Sequence, residues 1–267
     1  MPKKKKSTSS NSEAFVFNAI KSPFDERDYN ADKIYSNILP QTLVLPSVFD
    51  LRNKLPSVRN QGIRGTCCAF ACATIKEYQE TKDINLEKPM RMSPEFIYYY
   101  RSNIPHSGMF ARDAMTILKN RGCCPEDLCP YQLFKDIADV NEPAISVATQ
   151  YKTESYARVY SVQAVKESLY NDGPSLICFP VYSQIRPCFW RRKKGEESMG
   201  GHAVSIVGWN EEGFIIRNSL GKIWNGNGHV IYSYEDFEDG MHWEIWTTID
   251  KKGSEPPPRP TPCCQIL

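Results

Sequence analysis

The spacing of apolar residues changes about halfway along this chain. Up to about residue 150 they recur every three or four positions, and beyond it they form short apolar or alternating runs divided by glycine, asparagine and acidic turns. Residues 67–81 place Ala69, Phe70, Cys72, Ala73 and Ile75 on one helical face. Ser93 and Pro94 supply the cap and first position of a second helix; a third is expected from about Phe110 through Ala114, Ile117 and Leu118 to Gly122. Ser161 caps a fourth that ends before Asn171. Residues 174–182, 201–209, 213–219, 228–234 and 242–249 read as strands, with turns at 210–213 and 225–228. Helices first and antiparallel strands second specify an α+β protein of two lobes, with the cleft between them as the natural site.

Composition limits what such a cleft serves. The 267 residues are 41% hydrophobic, enough for one substantial domain or two packed lobes. Thirty-three basic residues against thirty-one acidic give +2, so no global field gathers nucleic acid, and no nucleic-acid partner is expected. Residues 1 to about 14 are rich in lysine and serine and are expected to be disordered, and residues 253–262 form a proline-rich spacer. The expected division is a disordered basic N-terminus and short leader over 1–44, a folded domain over 45–252 and a tail over 253–267. With no apolar signal core near the start, most of the ten cysteines are expected to be free thiols in a reducing, cytoplasmic compartment. The compact group Cys123, Cys124 and Cys129 lacks metal-ligand spacing, and no metal or organic cofactor is expected.

A thiol becomes a nucleophile when ionised, and a helix N-terminus favours the thiolate. Cys67 stands there, with an expected pKa well below about 8.5. An imidazole must share its proton, and a polar group must fix the imidazole's tautomer. His202 opens the strand GHAVSIVGW, and Asn218 follows at the end of the next, so that antiparallel pairing brings them side by side.

Residues 60–70, NQGIRGTCCAF, resemble the active-site segment of papain-like cysteine peptidases; GGHAVSIVGW resembles the family's histidine strand, and IIRNSLGKIWNGNGHVIY its asparagine segment. The Cys67 to His202 separation of 135 residues falls within the family's range of about 130 to 150. The resemblance covers roughly residues 46–250, and residues 22–29 resemble the short leader of bacterial and large-DNA-virus members, including viral cathepsin-like proteinases. It implies a papain-like fold, with a helical N-terminal lobe and an antiparallel, β-barrel-like C-terminal lobe. It also implies peptide-bond hydrolysis through an acyl-enzyme thioester, acting on peptide or protein substrates.

Carried over residue by residue, Cys67 is the nucleophile, His202 the base and later acid, Asn218 the orienting group, and Gln61 with the Cys67 N–H the oxyanion hole. Gly108 matches the position that receives the substrate backbone; Phe110, Cys178 and Gly201 match specificity-pocket positions and imply a bulky apolar side chain two residues before the scissile bond. Arg64 stands where secreted relatives place a disulfide cysteine, and Leu220 where a tryptophan shields the Asn–His bond, so weakened shielding is expected. Cys68 is expected to be a core or lining thiol, and His106, His229 and His242 local or surface histidines. Acyl transfer on the same fold, or a catalytically weak binding module, is the alternative function. The terminal CCQIL resembles a prenylation box at Cys264, with Cys263 open to palmitoylation, which implies tethering to the cytoplasmic face of a membrane. Lys3 to Lys6 read as a nuclear import signal, an anionic-lipid contact or merely solvated charge; the nucleus or a virion is the alternative location, and a monomer is expected.

Overall fold

The computed structural model describes residues 15–40, 42–83, 89–133 and 140–249. The basic segment 1–14 and the tail with Cys263 and Cys264 lie outside the described residues. The strands are β1 (Ala19–Ile20), β2 (Phe49–Asp50), β3 (Met109–Phe110), β4 (Ser155–Val159), β5 (Ser175–Pro180), β6 (Gly201–Trp209), β7 (Gly213–Arg217), β8 (His229–Ser233) and β9 (Glu244–Ile249). The helices are α1 (Ala31–Ile38), α2 (Cys67–Asp83), α3 (Pro94–Tyr99), α4 (Ala111–Asn120), α5 (Glu142–Ala148), α6 (Val162–Asn171) and α7 (Tyr234–Glu238).

Local signals explain most of these boundaries. The Ser93 and Ser161 side chains accept from the amides of Phe96 and Ala164, which satisfies donors left over at a helix start. Helix α2 has no polar face over its first turns: Cys67 to Glu77 are all buried, so it runs through the interior and not along the surface. Every residue of β6 is buried, as expected of a strand covered on both faces. Strand β4 and helices α1 and α5, with five, eight and seven residues, are too short to announce themselves by periodicity.

The main sheet has seven strands in the order β4-β9-β5-β6-β7-β8, with β2 added on β6, and its pairs are antiparallel. The expected barrel-like lobe is instead an open sheet: β4 and β8 are edges, and no closed barrel occurs among the described residues. A barrel needs continuous tilt and register around its circumference; here α2 covers one face and closure is unnecessary. Its residues Cys67, Cys68 and Cys72 share one apolar cluster with Leu176 and Cys178 of β5 and Ala203 of β6, so the helical and sheet lobes are welded along α2. A separate two-stranded sheet, with β1 parallel to β3, brings the N-terminal segment to the mouth of the cleft.

Candidate active site

Cys67 is the first residue of α2, and His202 is the second of β6. Asn218 lies one residue past β7, whose register with β6 pairs Ser205 with Arg217 and leaves Asn218 facing back toward the start of β6. The His202 Nε2 to Asn218 Oδ1 distance is 2.8 Å. The Ser219 backbone N–H donates to the same Oδ1 at 2.7 Å, which requires oxygen at that position and so fixes the amide's orientation. His202 Nε2 must therefore carry the proton and donate it to Oδ1, leaving Nδ1 as the basic nitrogen. Nδ1 is buried without a hydrogen-bond partner, and the thiol it couples to is that of Cys67. This geometry leaves an imidazole lone pair beside a thiol, the requirement for proton sharing.

Gln61 completes the set. Its Nε2 donates to Arg64 O at 2.9 Å and, by its second hydrogen, to Val16 O at 3.4 Å. Its Oε1 accepts from Ser219 Oγ at 2.6 Å. The structure thus brings Cys67, His202, Asn218 and Gln61 together, with Ser219 linking the last two; sequence reasoning passed over Ser219, although it adjoins Asn218. The loop carrying Gln61 is held where relatives use a disulfide. Buried Arg64 makes a two-pronged ion pair with Glu95 at 2.5 and 2.9 Å and donates to Gln132 O. Tyr131 donates to Gln61 O at 2.7 Å. Every cysteine among the described residues is a free thiol.

Two expectations about the catalytic pair are corrected. The Cys67 thiol is pushed up and not down: contact with Cys68 and full burial both raise it, against a smaller pull from His202. The shielding expected to be lost at Leu220 is present. Phe189 sets its ring edge-on to His202 at 5.4 Å, Trp224 backs Phe189, and Leu220 is itself in the same apolar cluster. Nothing in the spacing of Phe189 announces this, because it sits on an irregular loop.

The burial of His202 has a visible source. The segment 15–22 lies in the cleft: Phe17 packs on His202 at 5.1 Å, Asn18 bridges Gly201 in parallel, and Ala19 and Ile20 pair in parallel with Met109 and Phe110. A Cβ on Gly108, Gly200 or Gly201 would collide with the carbonyls of Asn18, Phe17 and Ala19. Gly108 and Gly200 also hold φ values of +81° and +124°, so no other residue fits there without strain. The expected backbone-receiving role of Gly108 thus has a matching geometry, occupied by the chain's own strand.

The expected pocket residues divide. Gly201 faces the cleft beside Trp243, an aromatic wall that sequence reasoning missed, and half-buried Phe110 pairs with Ile20. Cys178 is fully buried behind the cleft against Cys68, so it packs the floor and lines no open pocket. An open cavity of about 520 Å³ remains along the segment, bounded by Phe17, Ile20, His106, Gly201 and Trp243. Away from the site, His229 and His242 are held neutral: burial and nearby arginines pull both to about 4. His229 Nδ1 lies 2.9 Å from Asn227 O, and His242 Nδ1 lies 2.9 Å from Tyr232 Oη. Among the described residues, no group of three or more histidine, cysteine, aspartate or glutamate side chains could hold a metal ion.

Comparison with known proteins agrees with this architecture. A papain family cysteine protease profile matches residues 45–245. An uncharacterized peptidase C1-like protein of Acanthamoeba polyphaga mimivirus is 28% identical over 246 residues, covering 81% of this chain and 78% of that protein. Cathepsin B-like cysteine proteinase 3 of Caenorhabditis elegans is 25% identical over 73% of this chain, which spans 63% of that protein's length. The crystal structure of xylellain, a cysteine protease from Xylella fastidiosa, superposes with a TM-score of 0.75 at 24% identity, covering 89% of this chain and 97% of that one. The chain belongs to the papain family of cysteine proteases, and its chemistry is the thiol-dependent hydrolysis of peptide bonds.

Proposed function

We propose that this chain is a cysteine peptidase folded in a latent state, its cleft filled by its own residues 15–22. The observation that carries the reading is that Val16 O occupies the Gln61 amide while Phe17 covers His202 and the adjoining strand is paired to both walls. Contact with Cys68, and after it burial, holds Cys67 as a neutral thiol, which is a poor nucleophile.

With the segment withdrawn, Cys67 Sγ gives its proton to His202 Nδ1 and attacks the substrate carbonyl carbon. The oxygen gathers negative charge and is received by Gln61 Nε2 and the Cys67 N–H. The C–N bond breaks as His202 returns the proton to the leaving amine, and water then hydrolyses the thioester with His202 as base. Asn218 acts only by holding the ring. The cavity bounded by His106, Gly201 and Trp243 favours a bulky apolar substrate side chain.

The test is labelling of the full chain with an epoxide peptide probe, compared with Ala19→Glu, which puts a charge where Ala19 is buried. The variant is expected to label at Cys67 at least about tenfold faster than wild type, the ratio that corresponds to about 1.4 kcal/mol of cleft binding. Equal rates overturn latency. Labelling that survives Cys67→Ala overturns the nucleophile.

A further inference from the structure

Asn218 has two polar ends, and protein groups satisfy only one. Oδ1 accepts from Ser219 N and from His202, whereas Nδ2 is buried with no hydrogen-bond partner among the described residues. A buried donor left unmade carries a desolvation penalty, so native structures rarely tolerate one beside a catalytic group. Against Asn218 lies a cavity of about 10 Å³ whose walls include Arg59, Thr74, Ser205 and Arg217. That is room for one water, which also needs two to four polar partners.

The walls supply them in the right sense. Thr74 Oγ1 donates to Phe70 O at 3.1 Å, and Ser205 Oγ donates to Ala71 O at 3.4 Å. Both hydroxyl protons are therefore spent on carbonyls of α2, and what each oxygen still offers is a lone pair. The two arginines are engaged elsewhere: Arg217 Nη2 donates to Pro56 O at 2.8 Å, and Arg59 donates to Glu77, Glu126 and Met92 O. The site thus offers the unsatisfied donor of the Asn218 amide and the lone pairs of two hydroxyl oxygens.

We propose that this cavity binds one ordered water that accepts from Asn218 Nδ2 and donates to Thr74 Oγ1 and Ser205 Oγ, making Thr74 and Ser205 positioning residues for the Asn218–His202 pair. The proposal rests on the orienting role given above to Asn218. The amide is then held at both ends, by the Ser219 N–H at its oxygen and by the water at its nitrogen. The helix that carries Cys67 and the strand that carries His202 share that water, which keeps the two halves of the thiol–imidazole pair in register.

Two measurements on the full chain test this. In a crystal structure of the Cys67→Ala chain, a single solvent peak is expected within hydrogen-bond reach of Asn218 Nδ2, Thr74 Oγ1 and Ser205 Oγ; an empty cavity overturns the proposal. Nitrogen-15 spectra then follow the His202 Nε2 proton, resolvable because the chain has four histidines. Its exchange with solvent is expected to quicken about tenfold in Thr74→Val and to return to the wild-type rate in Thr74→Ser, which keeps the hydroxyl. An unchanged rate in Thr74→Val overturns the positioning role, and Ser205→Ala gives the same reading if the valine variant does not fold. Neither readout depends on turnover, so a failure of Cys67 as nucleophile is seen separately, in probe labelling.

Discussion

The two lobes hold their halves of the site by different physics. In the helical lobe, the loop before Cys67 is fixed by buried charge and hydrogen bonds: Arg64 with Glu95, Arg59 with Glu77 and Glu126, and Tyr131 on Gln61 O. In the sheet lobe, His202 sits in an antiparallel ladder and among rings, with Phe189 edge-on, Trp190 and Phe179 stacked on each other behind it, and Tyr232 edge-on to Trp190. Charge pairs are nearly all-or-none, because removing one partner leaves the other buried and unneutralised. Apolar packing is graded, because its cost follows the volume removed.

The largest effect is therefore expected in the helical lobe. Glu95→Ala leaves the Arg64 guanidinium buried without its carboxylate and should cost about 3–5 kcal/mol in denaturant unfolding. The double change Arg64→Met with Glu95→Leu should recover most of that loss, since an apolar pair of similar volume carries no desolvation penalty. Equal damage in the single and double variants breaks the comparison, because it would make shape and not charge the constraint.

In the sheet lobe, Phe189→Leu should cost about 1 kcal/mol and Phe189→Ala about 3, following the volume lost beside His202. A loss as large for leucine as for alanine would mean that the ring face, and not its bulk, is what the imidazole needs.

The same division explains what could be read from the sequence. Helices α2, α3, α4 and α6 and strands β5 to β9 follow from spacing and from caps such as Ser93 and Ser161. The Cys67, His202, Asn218 and Gln61 set follows from motif order. The occupied cleft does not: β1 and β3 have two residues each, too few for any periodicity, and pairing Asn18 with Gly201 joins residues far apart in the chain. Phe189 and Trp243 were illegible for the same reason, since their partners are set by tertiary approach. The Cys67 pKa was misjudged because helix position is a local property and burial is not.

The smallest effect is a pH dependence confined to the sheet lobe. His229 and His242 are both held near 4, against an unfolded value of 6.5, by burial first and by arginine repulsion second. Between those values the unfolded chain binds protons that the folded chain refuses, so stability is full above pH 6.5 and falls as pH drops toward 4. A full shift of that size would convert to about 3 kcal/mol for each ring, but both are partly exposed, and solvent screening reduces the expected loss to about 1 kcal/mol each, a few degrees in melting temperature. His242→Phe removes one titrating group from the Tyr232 contact and should flatten the melting curve between pH 6.5 and 4 by about half. A slope that persists in a variant lacking both His229 and His242 would place the acid sensitivity outside these two rings and break its assignment to them.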